Sequence, residues 1–134
     1  SMRRYLNSTP DDTSVLALLA DSERKRGNYS VSVKYYETVI AKGSPTQKAR
    51  ATYMLASVLQ SHLGKYEQAL KLFLEYTKSP YAVSELLKIG EINIVQSLVE
   101  LRRCKEATDA AEKIKAKGGS FAISKIDRMI ESCN

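Results

Sequence analysis

Histidine is almost missing from this chain: His62 is the only one in 134 residues. A metal site or a proton relay built on paired imidazoles therefore has nothing to start from. No CxxC, HExxH or His-rich cluster takes its place. His62 itself stands near a helix end and reads as a surface or capping residue. Cysteine is scarce too, with only Cys104 and Cys133. Small secreted domains are stapled by more, so the pair reads as two reduced thiols in the cytoplasm or another reducing compartment. Cys104 stands beside Arg102, Arg103 and Lys105, which could lower a thiol pKa; the plainer reading is a small apolar filler. No run of 18 apolar residues exists, so no segment is expected to span a membrane. The first residues lack the apolar stretch of a signal peptide. Ser1 before Met2 reads as the scar of a cleaved tag, residues 1–9 as scar and leader, and the chain as a whole small protein or a segment of a larger one. No glycine-rich loop precedes a helix with phosphate-binding spacing, since Gly118-Gly119 follows one. Carboxylates such as Glu37, Glu67, Glu75 and Glu112 are scattered on helix faces. No catalytic residue, cofactor or metal is expected, and the chain is not read as an enzyme.

What is present is rhythm. Pro10, Pro45 and Pro80 each follow a hydroxyl residue and recur every 35 residues. Proline fits the first turn of a helix, where its missing N–H costs nothing. Thr9 with Asp12, and Ser44 with Gln47, have capping-box spacing; Ser79 has only Ala82 three residues on. A second rhythm is Gly27-Asn28-Tyr29 and Gly64-Lys65-Tyr66, 37 residues apart. Aligning Ala107 with Ala69 extends it, with Arg102 in the glycine place and Cys104 in the tyrosine place. The two rhythms predict helices over 10–26, 29–42, 45–62, 66–78, 81–101, 104–117 and 120–132. Gly43 and Gly118-Gly119 suit helix ends. Apolar stretches at 15–19 and 92–95 lie inside longer helical periodicity, so no strand competes. Amphipathic helix pairs with a period near 35 imply stacked repeats, each burying its neighbour's apolar face.

These residues resemble the tetratricopeptide repeat. The match is best at 45–80, with Tyr53, Ala56, Gly64, Tyr66, Ala69, Phe73 and Tyr76. Repeat 10–44 carries Leu16, Leu19, Ala20, Gly27, Tyr29, Tyr36 and Val39, with Ser32 where alanine is usual. Repeat 81–117 carries Ile94, Ala107, Ala111 and Ile114 but lacks the glycine and the aromatic. Helix 120–132, with Phe121, Ile123, Ile126, Met129 and Ile130 on one side, looks like the closing helix of such arrays. The resemblance implies an all-α fold: antiparallel helix pairs stacked as a right-handed solenoid of about three repeats plus a C-terminal closing helix, in one domain over 10–134. The small residues Ala20, Ser32, Ser57, Ala69 and Ala107 would let helix backbones approach closely.

The resemblance also implies a protein-binding scaffold. In this family the first helix of each pair lines a concave groove. Its positions here would be Ser14, Ala17, Asp21 and Arg24; Ala51, Met54, Val58 and Ser61; then Ile89, Ile92, Gln96 and Val99. Members that clamp a C-terminal carboxylate use lysine, arginine and asparagine where this chain has Ala17, Met54 and Ile92, so that role is not expected. The candidate partner-binding residues are Arg24, Met54, Val58, Ser61, Ile89, Ile92 and Gln96. The expected partner is a protein or peptide, acidic or amphipathic. A net charge of +6 is spread along the chain, with basic clusters at 24–26, 102–105 and 113–117. Capping of helix ends accounts for such clusters, so nucleic acid is a rival partner and not the expected one. Homo-oligomerisation is a further alternative.

Overall fold

The computed structural model describes residues 2, 4, 5, 12–118 and 122–133. From Asp12 onward these form seven helices and no strand: α1 Thr13–Lys25, α2 Tyr29–Lys42, α3 Pro45–Ser61, α4 Tyr66–Thr77, α5 Ser84–Glu100, α6 Cys104–Ala116 and α7 Ile123–Cys133. The chain divides into two compact units, residues 1–64 with α1 to α3 and residues 65–134 with α4 to α7.

Helix starts separate what local chemistry decides from what packing decides. Pro45 opens α3, and Ser44 and Gln47 form a capping box, as their spacing predicts. The α1 cap is Asp12, whose carboxylate accepts the Val15 N–H at 3.1 Å. Thr9 and Pro10, read as opening this helix, lie outside the described residues. Tyr5, in the segment read as a leader, is helical and donates to Asp12 at 2.8 Å. Helix α5 begins at Ser84 and not at 81. The segment after Pro80 turns on its own bonds: Ser79 Oγ accepts the Tyr81 N–H at 3.1 Å and the Tyr76 hydroxyl accepts the Val83 N–H at 2.9 Å. Helix α7 runs from Ile123 to Cys133, one residue further than expected; residue 120, read as its start, lies outside the described residues.

In the first unit α2 packs on both α1 and α3. Leu16, Leu19, Ala20, Tyr36, Val39 and Ala56 are buried there. In the second, α5 packs on α4, α6 and α7, and α6 on α7, around Phe73, Tyr76, Val95, Ala107, Ala111 and Ile126. Ala20, Ser32, Ala69 and Ala107 are wholly shielded, as close helix approach demands. Ser57 is only half-buried, and its neighbour Ala56 is the shielded residue. Met129 and Cys133 line the inner side of α7 with Ile126, while Ser124, Lys125, Arg128 and Glu131 are exposed. Phe121 lies outside the described residues.

The turn that joins α5 to α6 repeats the geometry of the glycine turns. Gly27 and Gly64 have φ of +84° and +62°, and Arg102 has +60°. The residues that follow, Asn28, Lys65 and Arg103, share φ near −90° and ψ near +70°. The N–H of Asn28 reaches the Glu23 carbonyl at 2.8 Å, and that of Arg103 reaches Leu98 at 2.9 Å. These are the same helix-closing bond.

The two cysteines are not free. Cys104 opens α6, Cys133 closes α7, and the two are joined as a disulfide with Cα atoms 5.6 Å apart. This corrects the reading as reduced thiols and as a small filler, and removes the ground for a reducing compartment. The reason is the α6–α7 hairpin, which returns the end of the chain to the start of α6. Arg102 reinforces it, donating to the carbonyls of Ser132 at 3.3 Å and Cys133 at 3.1 Å. Among the described residues no helix is long and apolar enough to cross a membrane.

Candidate functional site

The residues expected to line a groove do not form a continuous exposed strip. Val58 and Ile92, at 1% and 5% exposure, belong to the core, as do Ala51 and Val99. Met54 and Gln96 are half-buried, and Gln96 donates to Glu100 at 2.8 Å. Ser61 and Ile89 are exposed and Arg24 is half-buried. The resemblance placed these residues on groove-lining stripes. It could not show that the larger aliphatic side chains of those stripes are covered.

What remains available in the first unit is the side where α1 and α3 meet. Thr13 donates to Gln47 at 2.9 Å, and Gln47 donates to Ser14 at 3.2 Å. Further along, Arg50 donates to both Asp21 oxygens at 3.4 and 3.1 Å. Residue numbers rise together across these contacts, so the two helices run parallel. Arg50, Met54 and Ser61 share one stripe of α3, and Ala17, Asp21 and Arg24 share one stripe of α1.

Asp21 is the hub of this side. The Tyr36 hydroxyl donates to it at 2.5 Å, and Arg24 Nε donates to the same hydroxyl at 3.2 Å. A terminal nitrogen of Arg24 stands 4.0 Å from Asp21. Tyr36 has no exposed surface. Burial, and then the bond to Asp21, push its phenol up to about 12. The hydroxyl therefore stays protonated at neutral pH and keeps donating. Two arginines thus converge on one aspartate, leaving one positive charge in excess. The resemblance proposed Arg24 as a site residue but missed Arg50 and Tyr36. The signal for Tyr36 was its place in the repeat core; Arg50 had none.

The basic clusters are mostly engaged within the chain. Arg26 pairs with buried Glu23 at 3.3 Å, which also accepts from Asn28. Arg103 pairs with Glu106 at 2.7 Å and Glu67 at 3.4 Å. Its hydrogen bond holds the Glu106 carboxyl below the usual range. Lys115 pairs with Asp127, and Lys117 with Glu91. With Arg24 on Tyr36 and Arg102 on the end of α7, few cations of these clusters are left for phosphates. His62 caps α3 and stacks on Tyr29 with ring centroids 4.0 Å apart. Among the described residues no group of three His, Cys, Asp or Glu could hold a metal ion.

The second unit contains a cleft of about 380 Å³ that the sequence did not announce. Ile94 and Leu98 of α5 form its floor, with Glu91 at one end. Leu70, Leu74 and Thr77 of α4 form one wall, and Ala110 and Ile114 of α6 the other. Arg103, Glu106, Asp109 and Lys113 stand along the α6 rim. Its signal, visible afterwards, is apolar residues of α4 and α6 left over once each helix has covered its neighbour: Leu74 is 39% exposed.

No family model, curated protein or solved structure matches the chain.

Proposed function

We propose that this chain is a protein-interaction scaffold. In this reading its helix pairs are tetratricopeptide-like repeats stacked as a right-handed solenoid, and the α1–α3 side receives an acidic segment of a partner protein. The single observation that carries the proposal is Asp21 held between Arg24 and Arg50 on a partly exposed surface. Support for the repeat comes from the shared turn geometry at Gly27, Gly64 and Arg102. Arg24 spends its Nε on Tyr36, so terminal N–H groups remain for an incoming carboxylate. Charge-assisted bonds of this kind are short and directional. At a partly exposed site they contribute orientation and association rate more than affinity. Ala17, Met54 and Ser61 share these stripes with the charged residues and offer a partner small or adaptable contacts. Methionine in particular adjusts to different partner shapes.

The test is an array of acidic amphipathic peptides probed with the labelled chain, then with Arg24→Glu and Arg50→Glu together. The proposal expects a set of peptides whose binding falls at least about tenfold on charge reversal, while the circular dichroism spectrum is unchanged. Binding that ignores the reversal overturns it. So does preferential binding to single-stranded RNA with the steep salt dependence of multiple phosphate contacts. Light scattering on the same samples reports whether the chain instead pairs with itself.

A further inference from the structure

The cleft in the second unit has its own chemistry. Its middle is apolar, formed by Leu70, Leu74, Ile94 and Leu98. Its charges are sorted by end. Toward the starts of α4 and α6 stand three acids, Glu67, Glu106 and Asp109, with two cations, Arg103, which bonds the first two, and Lys71. That end carries an excess of one negative charge, and Asp109 is the acid there that Arg103 does not bond. One turn beyond Asp109, Lys113 stands on the same wall. Among the described residues neither Asp109 nor Lys113 makes an ion pair. At the far end Glu91 is already neutralised by Lys117, so the free charge there is that of Lys113.

The walls also limit the shape of an occupant. They are α-helices whose backbone N–H and C=O groups are bonded within each helix. An extended peptide entering an apolar groove would bury its own backbone groups without partners, which is unfavourable. A helix arrives with those groups already bonded. From Leu70 to Thr77 the α4 wall runs for about 11 Å, the length of about two turns.

We propose that the cleft between α4 and α6 is a docking groove for an amphipathic helix of a partner protein, seated antiparallel to α6. Its acidic first turn faces Lys113 and its basic last turn faces Glu67, Glu106 and Asp109. Apolar side chains at i, i+3, i+4 and i+7 enter the groove. Orientation follows from charge, and the pattern agrees with the occupant's own dipole, which favours acids at its start and bases at its end.

The test uses two stapled peptides of about twelve residues with leucines at that spacing. One carries glutamates in its first turn and lysines in its last; its twin has the charges exchanged. Affinity for the full chain is read by fluorescence anisotropy. The first peptide should bind about tenfold more tightly than its twin. The double variant Asp109→Lys, Lys113→Glu changes only exposed positions and should reverse that preference. Leu74→Glu, also exposed, should lose both peptides while the thermal melt is retained. Equal binding of the two peptides, no binding of either at millimolar concentration, or binding that survives Leu74→Glu each overturn the proposal. Concentration-dependent dimerisation abolished by Leu74→Glu would also overturn it, since a second copy would then be the occupant.

Discussion

Tyr36 is a large side chain with no exposed surface, yet its hydroxyl is wet by charge: it donates to Asp21 and accepts from Arg24. Buried phenols need such partners, because an unpaired one loses its hydration without return. The arrangement makes stability depend on pH in a stated direction. A free phenol titrates near 10, and the folded one is pushed up to about 12. Below the lower value both folded and unfolded chains hold the proton, and the contribution is complete. Between the two values the unfolded chain releases its proton while the folded chain keeps it, so stability falls as pH rises through that window. Tyr36→Phe should remove this alkaline loss relative to the parent chain. At neutral pH it should cost about 1–3 kcal/mol, because Asp21 and Arg24 lose a partner. Urea unfolding across the alkaline range, compared between the two chains, checks both statements. Parallel pH profiles would show that the hydroxyl is not held as described.

At the scale of elements, the turn between α5 and α6 shows why one position can serve two purposes. Arg102 takes a left-handed φ of +60°, a conformation costing a non-glycine residue about 1–2 kcal/mol. Glycine would occupy it freely, as at Gly27 and Gly64. The guanidinium offsets the strain by capping the carbonyls of Ser132 and Cys133 at the end of α7. Both Arg102→Ala and Arg102→Gly lose those bonds, so their difference isolates the backbone term. Arg102→Gly should be the more stable of the two by about 1 kcal/mol, read from chemical denaturation midpoints. Equal stabilities would mean that the turn relaxes out of the left-handed region. The place of this turn was legible in the sequence, because aligning Ala107 with Ala69 put Arg102 in the glycine position. Helix ends set by local chemistry were legible as well, such as the capping box at Ser44 and Gln47. The start of α5 was not: it depends on the Tyr76 hydroxyl accepting from Val83, a contact made across the hairpin. The repeat resemblance put Val58 on a stripe with Met54, and Ile92 on one with Ile89. It carries no information on what covers a stripe, so a core side chain and a groove side chain looked alike.

At the scale of the whole molecule, the second unit is closed on itself at its chain end. Helix α7 lays Ile126 and Met129 against α5 and α6, and its last residue is bonded to the first residue of α6 across 29 positions. Cysteine spacing in the sequence could not reveal this, because thirty residues is neither a zinc motif nor a framework pattern; the hairpin brings the thiols together. A crosslink acts chiefly by removing conformations from the unfolded chain. For a loop of this length the chain-entropy relation gives about 3.5 kcal/mol. The structure's other ties at this end, the Arg102 caps and the Lys115–Asp127 pair, are surface contacts worth less. Reduction should therefore lower the thermal midpoint of the second unit by upward of about 10 °C. The double variant Cys104→Ser, Cys133→Ser should melt at the reduced temperature and ignore added thiol. Calorimetry with and without reductant makes the comparison. If the oxidised and reduced chains melt together, the apolar face of α7 and not the crosslink holds the end of the molecule, and Ile126→Ala becomes the substitution that opens it.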